Sequence, residues 1–385
     1  GEGMEMRFIG LDVHQKYAEG CEIGPGKQKR RFRIANTRES WEKFAQTLDP
    51  ETRVVMEATG NAFWIYDILS DYPAQVVIAN TLKTRAIAEA RVKTDALDAQ
   101  ILAQLLAADF IPESWVPDKE QYQLRVLLHH RIRLAKIRTM LKNKIHAALI
   151  RNGIQSPWSD LFGKNGRKFL ESVTLPEMEQ IIVCSSLRLL DAVQKEMTAL
   201  EADLFGRAKE NPDVKLLMGI PGISALSALT ILAEIGDISR FSSPKKLASY
   251  AGLVPSVHQS GKTRYTGHIT KEGRSVLRWI LVQCAQRAVQ SEGKLRAFYL
   301  GLKAKKGHKI AIVATARKLL HVVWAVLVRQ EEYRDLRKDL LDKKFKTMNR
   351  KAKKYEVTTD EFLRIIEDVG EIPDEQTPHW LQGAG

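Results

Sequence analysis

The chain has 385 residues, 44% hydrophobic and 28% charged, with 60 lysines and arginines against 46 acids for a formal charge of +14. That length allows two or three domains with proper cores, and the excess positive charge favours a polyanionic partner, because neutralised phosphates release counterions. Three widely spaced cysteines (Cys21, Cys184, Cys284) without a C-x-x-C pair exclude a disulfide framework and a zinc finger.

The opening GEGMEM lacks the apolar run of a secretory leader, so the expectation is a cytoplasmic protein. Arg7–Val13 (RFIGLDV) and Tyr17–Ile23 read as strands, Gly24-Pro25-Gly26 as a turn, and Arg31–Ile34 as a half-buried strand. Helical spacing follows over 39–48, then a strand at 53–56, a helix over 61–70 and a buried strand at 75–79. A helix over 94–106 carries Leu97, Ile101 and Leu105 on one face. This order gives a mixed α/β domain over 5–112, with an antiparallel section and a parallel one.

Pro112 and Pro117 punctuate its end. A long helix over 120–151 places Leu127, Leu134, Ile137, Leu141 and Ile145 in a stripe and carries Arg131, Lys136, Arg138 and Lys142 on its other faces. A second helix repeats Leu190, Val193, Met197, Leu200 and Leu204. Together they predict a coiled-coil arm over 118–210, paired either within the chain or with another protomer. A mainly helical unit follows over 211–330, interrupted by a Gly/Ser/Thr-rich segment at 256–270. Its stretch Leu319–Val328 is too short to span a bilayer and reads as a buried helix, so no membrane partner is expected. The tail, 331–385, is basic and then acidic.

Four acids stand out by placement. Asp12 ends the first strand, and Glu57 ends the fourth, just before Gly60. Strands that leave the same edge of a parallel pair bring such residues together. Asp95 and Asp98, at i and i+3, share a helix face. Each acid alone has an ordinary reading as a turn, cap or surface residue. Close together and ionised they require a counter-charge. Magnesium or manganese supplies it, and two ions about 4 Å apart suit phosphoryl transfer. His14 lies beside Asp12, where a structural histidine and a site residue are both open readings.

The segments Gly10-Leu11-Asp12-Val13-His14, Glu57-Ala58-Thr59-Gly60 and Lys93-Thr94-Asp95-Ala96-Leu97-Asp98-Ala99 resemble the three acid motifs of the DEDD family of insertion-sequence transposases. This "one-hundred-and-ten" group also contains the Piv invertases. The resemblance implies a ribonuclease H-like catalytic domain, similar to RuvC junction resolvases, with Asp12, Glu57, Asp95 and Asp98 as magnesium ligands. Leu247–Arg278 resembles the second hallmark region of the family, in which a serine precedes Gly-Lys. Ser260 is the match and Ser256 a weaker one, whereas relatives often carry two adjacent serines. The resemblance implies a serine-linked DNA intermediate and, for some members, a structured bridge RNA that pairs with donor and target DNA.

Candidate nucleic-acid contacts are Arg131, Lys136, Arg138 and Lys142 on the arm, and Gly219 and Gly222 in the turn LLMGIPGI. Lys262, Arg264, Lys271, Arg274 and Arg278 join them around the serine. A homodimer or dimer of dimers is expected, because strand exchange needs several cuts in one complex. Two rivals stay open: a water-using, metal-dependent junction endonuclease and a non-catalytic nucleic-acid scaffold.

Overall fold

Side chains that alternate across a pleat set the first third of the chain. The computed structural model describes residues 6–87, 95–260, 263–353 and 357–370, and the chain divides into two units, Gly1–Glu120 and Gln121–Gly385. In the first unit β1 (Arg7–Val13), β2 (Tyr17–Ile23) and β3 (Lys29–Ala35) form an antiparallel meander. After it come α1 (Arg38–Ala45), β4 (Thr52–Glu57), α2 (Ala62–Leu69), β5 (Gln75–Ala79), α3 (Thr81–Ile87), α4 (Asp95–Ala107) and the short β6 (Glu113–Ser114). The sheet order is β3-β2-β1-β4-β5-β6, with β4 parallel to both β1 and β5. The expected mixed α/β plan is present, and α3 and β6 are additions to it. At the outer edge β3 exposes Lys29, Arg30, Arg31 and Arg33.

The two sheet faces bury different partners. Ile9, Leu11, Val54, Met56 and Ile78 pack with Trp41, Ile65 and Leu69, whereas Val55, Val77 and Ala79 turn the other way, against Leu102 and Leu106 of α4. Gly10 shares this second face, and a Cβ on it would stand 2.1 Å from the carbonyl oxygen of Ala99. Only glycine lets α4 lie so close to the β1 backbone. The sequence pattern put Leu97, Ile101 and Leu105 on the helix's apolar face. The face buried on the sheet is instead Ala99, Leu102, Ala103 and Leu106, and the three predicted residues are half-buried beside it. Close approach over Gly10 leaves room for alanines there, not for a leucine.

The second unit contains most of α5 (Lys119–Arg151), then α6 (Lys164–Ser172) and α7 (Glu177–Glu210). Arg131 meets Glu201, Arg138 meets Gln194, and Arg151 meets Glu179. Numbers falling on one helix as they rise on the other mean that α5 and α7 run antiparallel. Leu141, Ile145, Val183 and Leu190 form a small core of their own with Leu161. At the opposite end of the pair, Leu128, Leu204 and Phe205 enter the main core of the unit.

That core is built by α8 (Pro212–Met218), α9 (Ala225–Ile235), α10 (Pro244–Tyr250), α11 (Ser275–Ala288) and α12 (Lys294–Arg329). Between α10 and α11 lies a hairpin of β7 (Pro255–Ser260) and β8 (Thr263–Ile269), in the segment that composition marked only as turn-rich. α13 (Lys338–Lys351) and α14 (Thr359–Gly370) follow. α12 is the one described helix long and apolar enough to cross a membrane. Leu319, Leu320, Val323, Val326 and Leu327 of that helix are buried in the unit's core, and Gly307 (φ 78°) breaks it.

Candidate metal centre

β1 and β4 lie side by side with Leu11 opposite Met56, so Asp12 and Glu57 follow at the same edge. Alternation places Asp12 with Gly10, and Glu57 with Val55, on the face that α4 covers. Asp95 precedes the sheet-facing Ala99 by four residues, and Asp98 precedes Leu102 by four, so both acids continue the buried stripe of α4 beyond the sheet edge. Residues 93 and 94 of the third acid motif lie outside the described residues.

The ring nitrogen Nε2 of His14 is 3.0 Å from Asp12 Oδ2 and 3.1 Å from Asp95 Oδ2. With its proton on Nε2, the ring donates to both acids. These three ligand atoms lie within 4.8 Å of one another, a spacing that a divalent cation can bridge. The carboxylate-rich donor set suits a hard cation such as Mg²⁺ or Mn²⁺, so the residues present fit the metal that the acid motifs call for. Burial pushes the Asp12 carboxyl above its ordinary range. His14 works against that rise, and the charges of Asp95 and Asp98 add to it. Asp98 thus belongs to the electrostatics of the cluster, and Glu57 joins it by strand register.

Sequence reasoning left His14 open and missed Tyr17. The Tyr17 hydroxyl donates to Asp95 Oδ2 at 3.1 Å, which raises its own pKa. The ring lies 5.1 Å from that of His14, tilted by 42°, and the Arg33 guanidinium lies 4.3 Å from its centroid. Tyr17 arrives from the antiparallel neighbour of β1 through the tight turn closed by the His14 N–H to Tyr17 carbonyl bond. Asn36 and Asn61 both donate to the His14 carbonyl, and the indole of the fully buried Trp41 holds Asn36. Only the β1–β2 register could have revealed Tyr17.

In the second unit β7 ends at Ser260, paired with Thr263 at the start of β8, so Ser260 stands next to the hairpin tip. Ser256 lies near the base and donates to the His268 carbonyl across the ladder at 3.1 Å. Lys262 lies outside the described residues, and only the backbone of Arg264 is described, within β8. Lys271 is exposed with φ at +56°. Arg274 pairs with the buried Glu234 at 2.8 Å, and Arg278 donates to the Ala251 carbonyl at 3.0 Å.

On the arm, Lys136 is exposed, Arg131 is paired with Glu201, Arg138 bonds Gln194, and Lys142 lies 4.7 Å over the Phe162 ring. The Gly219–Gly222 turn packs inward. Gly222 has φ +81°, and a Cβ there would meet the Cys284 carbonyl at 2.2 Å. Gly219 and Ile220 donate their N–H groups to Leu216 and Leu217, while Lys344 holds the Met218 and Ile220 carbonyls.

Carboxylates gathered at the carboxyl edge of a mixed sheet, in a strongly basic chain, are the layout of a nucleic-acid-processing enzyme. A family model for DEDD transposases of the IS110 kind matches residues 9–152, and one described as "Transposase IS116/IS110/IS902 family" matches 214–300. The transposase for insertion sequence element IS1111A of Coxiella burnetii is 31% identical over 299 residues, which cover 73% of this chain and 79% of that protein. The transposase for insertion sequence element IS1328 of Yersinia enterocolitica is 24% identical, covering 83% and 96%. A pilin gene-inverting protein of Moraxella lacunata is 28% identical, covering 84% and 96%. The chain belongs to the IS110/IS116/IS902 family of insertion-sequence transposases. Membership implies DNA-cleaving recombinase activity, with DNA as substrate, and suggests a divalent metal.

Proposed function

We propose that the chain transposes an insertion sequence by metal-dependent cleavage and strand exchange of donor and target DNA, with Ser260 as nucleophile. The division of labour is a ribonuclease H-like domain over 5–112, an arm over 118–210, a serine-bearing domain over 211–330 and a charged tail over 331–385. The observation that carries the reading is the convergence of Asp12, His14 and Asp95 at the N-terminal end of α4, with Asp98 charge-coupled to Asp12.

Asp12, Glu57, Asp95 and Asp98 would hold two Mg²⁺ or Mn²⁺ ions. Once bound, the ions supply charge to the scissile phosphate and lower the barrier to displacement. The chain's own residues do the rest. Tyr17 and His14 fix the orientation of Asp95 and Asp12, and the asparagine pair fixes the turn that carries His14. The Ser260 Oγ–phosphorus bond forms as a backbone P–O bond breaks, and the leaving strand hydroxyl takes the proton. Attack by a hydroxyl of the second strand then releases Ser260 and joins the strands. Ser260 is favoured over Ser256 by its place next to the hairpin tip, whereas Ser256 is engaged across the ladder near the base.

A suicide DNA substrate with the metal-loaded protein should trap a covalent adduct that disappears in Ser260→Ala. An adduct that persists in that variant overturns the serine role, and normal strand exchange in Asp12→Asn overturns the acid role. The basic surface includes the exposed Lys136 and Lys271 and suits a structured guide RNA beside the DNA. Sequencing the nucleic acid that co-purifies with the protein should return one discrete structured RNA; a random population counts against guidance. A dimer or dimer of dimers would supply the several cuts, measurable by light scattering with DNA bound.

A further inference from the structure

We propose that Glu234 is a positioning residue for the Ser260 hairpin, acting through a buried ionic clasp at the hairpin's root. The proposal rests on the reading of Ser260 as the nucleophile.

Glu234 is the penultimate residue of α9 and is 1% exposed. A lone buried carboxylate is costly, so its partners show what the fold holds together. One oxygen takes Nε of Arg274 at 2.8 Å, and the other meets Nε2 of His129 at 2.6 Å. Its backbone carbonyl accepts the Tyr250 hydroxyl at 3.1 Å and the guanidinium of Arg125, a buried arginine of α5, at 2.8 Å. Gln121, also on α5, donates to the neighbouring Ala233 carbonyl at 3.1 Å. Four segments therefore meet at one side chain and its backbone: the root of the arm, the end of α9, the end of α10 and the start of α11.

The last two are the strands' points of entry and exit. The Arg274 N–H donates to the Tyr250 carbonyl at 3.0 Å, and the Thr270 N–H to the Val254 carbonyl at 2.9 Å. Gly273 (φ +106°) lets its backbone press on Tyr250, where a Cβ would stand 2.3 Å from the carbonyl oxygen. Gly252 (φ +67°) makes the matching approach to the Glu272 carbonyl, also 2.3 Å from a Cβ. Arg278 closes the other side on Ala251. The polypeptide that leaves this clasp at Val254 and returns at Thr270 is the hairpin whose first strand ends at Ser260. Across six residues of extended backbone, about 20 Å by strand rise, a small rotation at the root becomes a displacement of an ångström or more at the tip. Misplacement of that size costs a nucleophile about a hundredfold in rate. A fold that needed only stability would serve as well with apolar residues in place of the whole ionic group, Glu234 together with its cations. Glu234 instead fixes the angle at which the hairpin departs.

Glu234→Gln keeps the volume and removes the charge. In the full-length protein it should lower the rate of covalent adduct formation on suicide DNA about tenfold or more, with DNA affinity unchanged. Hydrogen exchange in 255–269 should quicken while α11 and α12 keep wild-type protection. Arg274→Lys, which retains a cation, should fall between Glu234→Gln and the wild type. Wild-type exchange over 255–269 in Glu234→Gln, or activity lost only in proportion to unfolded protein, overturns the proposal. If Glu234→Gln does not fold, His129→Gln carries the same exchange test. Adduct formation that survives in Ser260→Ala sinks the nucleophile reading, while the exchange measurement still decides the clasp.

Discussion

The two units use acids in opposite ways. Asp12 and Asp95 share a single histidine at a half-exposed sheet edge, with Asp98 close enough to raise the Asp12 carboxyl further. Glu234, by contrast, is buried yet held below the ordinary carboxylate range, because hydrogen bonds and charge from His129 and Arg274 outweigh its burial. Among the described residues the first cluster has His14 as its one directly bonded cation-forming group and fits an external ion, while the other is neutralised from within. An acid's neighbours, more than its burial, separate a binding site from a structural joint.

Replacing the acids tests the contrast most strongly. Asp12→Asn should abolish cleavage by about a thousandfold or more, yet raise the melting temperature of the metal-free protein by about 2 °C, as calorimetry can show. A drop in melting temperature instead would mean that Asp12 is structural. Arg274→Met, which leaves the buried Glu234 with His129 alone, should cost about 3 kcal/mol in denaturant unfolding. Gly10→Ala should cost about 2 kcal/mol through the clash with Ala99 and should also weaken Mn²⁺ binding by displacing α4, measurable by calorimetric titration.

The pH limbs should have opposite signs. Glu234, with its lowered pKa, stabilises the fold above the unfolded carboxylate range, and that contribution is lost as pH falls through its folded value. Asp12, with its raised pKa, binds its proton more tightly in the fold, so stability falls as pH rises from the unfolded value through the folded one. Glu234→Gln should flatten acid denaturation, and Asp12→Asn should remove the opposing slope. A further limb belongs to Lys344, whose ammonium burial lowers to about 8. Stability should rise with pH between about 8 and the unfolded lysine value near 10.4, and Lys344→Met should erase that slope.

Much of the first unit was legible because strand period and turn residues speak locally. Asp12 and Glu57 end apolar runs, and the i, i+3 acids declare a helix face. The reading of α4 slipped by two residues around the helix because hydrophobicity pointed to leucines, whereas the glycine beneath selected alanines. Tyr17 needed a strand register that no local pattern supplies. In the second unit the Gly/Ser/Thr-rich composition of 256–270 hid a hairpin. Arg274 and Arg278 read as cations for a phosphate backbone, yet each has an intrachain partner, since sequence does not distinguish a cation facing water from one facing a buried oxygen. Glu234 gave no signal at all: one acid in an apolar helix looks incidental until its partners arrive, His129 from over a hundred positions upstream and Arg274 from 40 downstream.

The row of lysine and arginine along β3 bears on the life of the protein before and between its reactions. An outermost strand with open amide and carbonyl groups is an invitation to fibril growth. Here two identical edges would set Lys29 and Arg31 of one copy against those of the next, beside Arg30 and Arg33 that pair with Glu22 and Glu19, so neighbouring copies in a crowded cell repel one another at the point where stacking would begin.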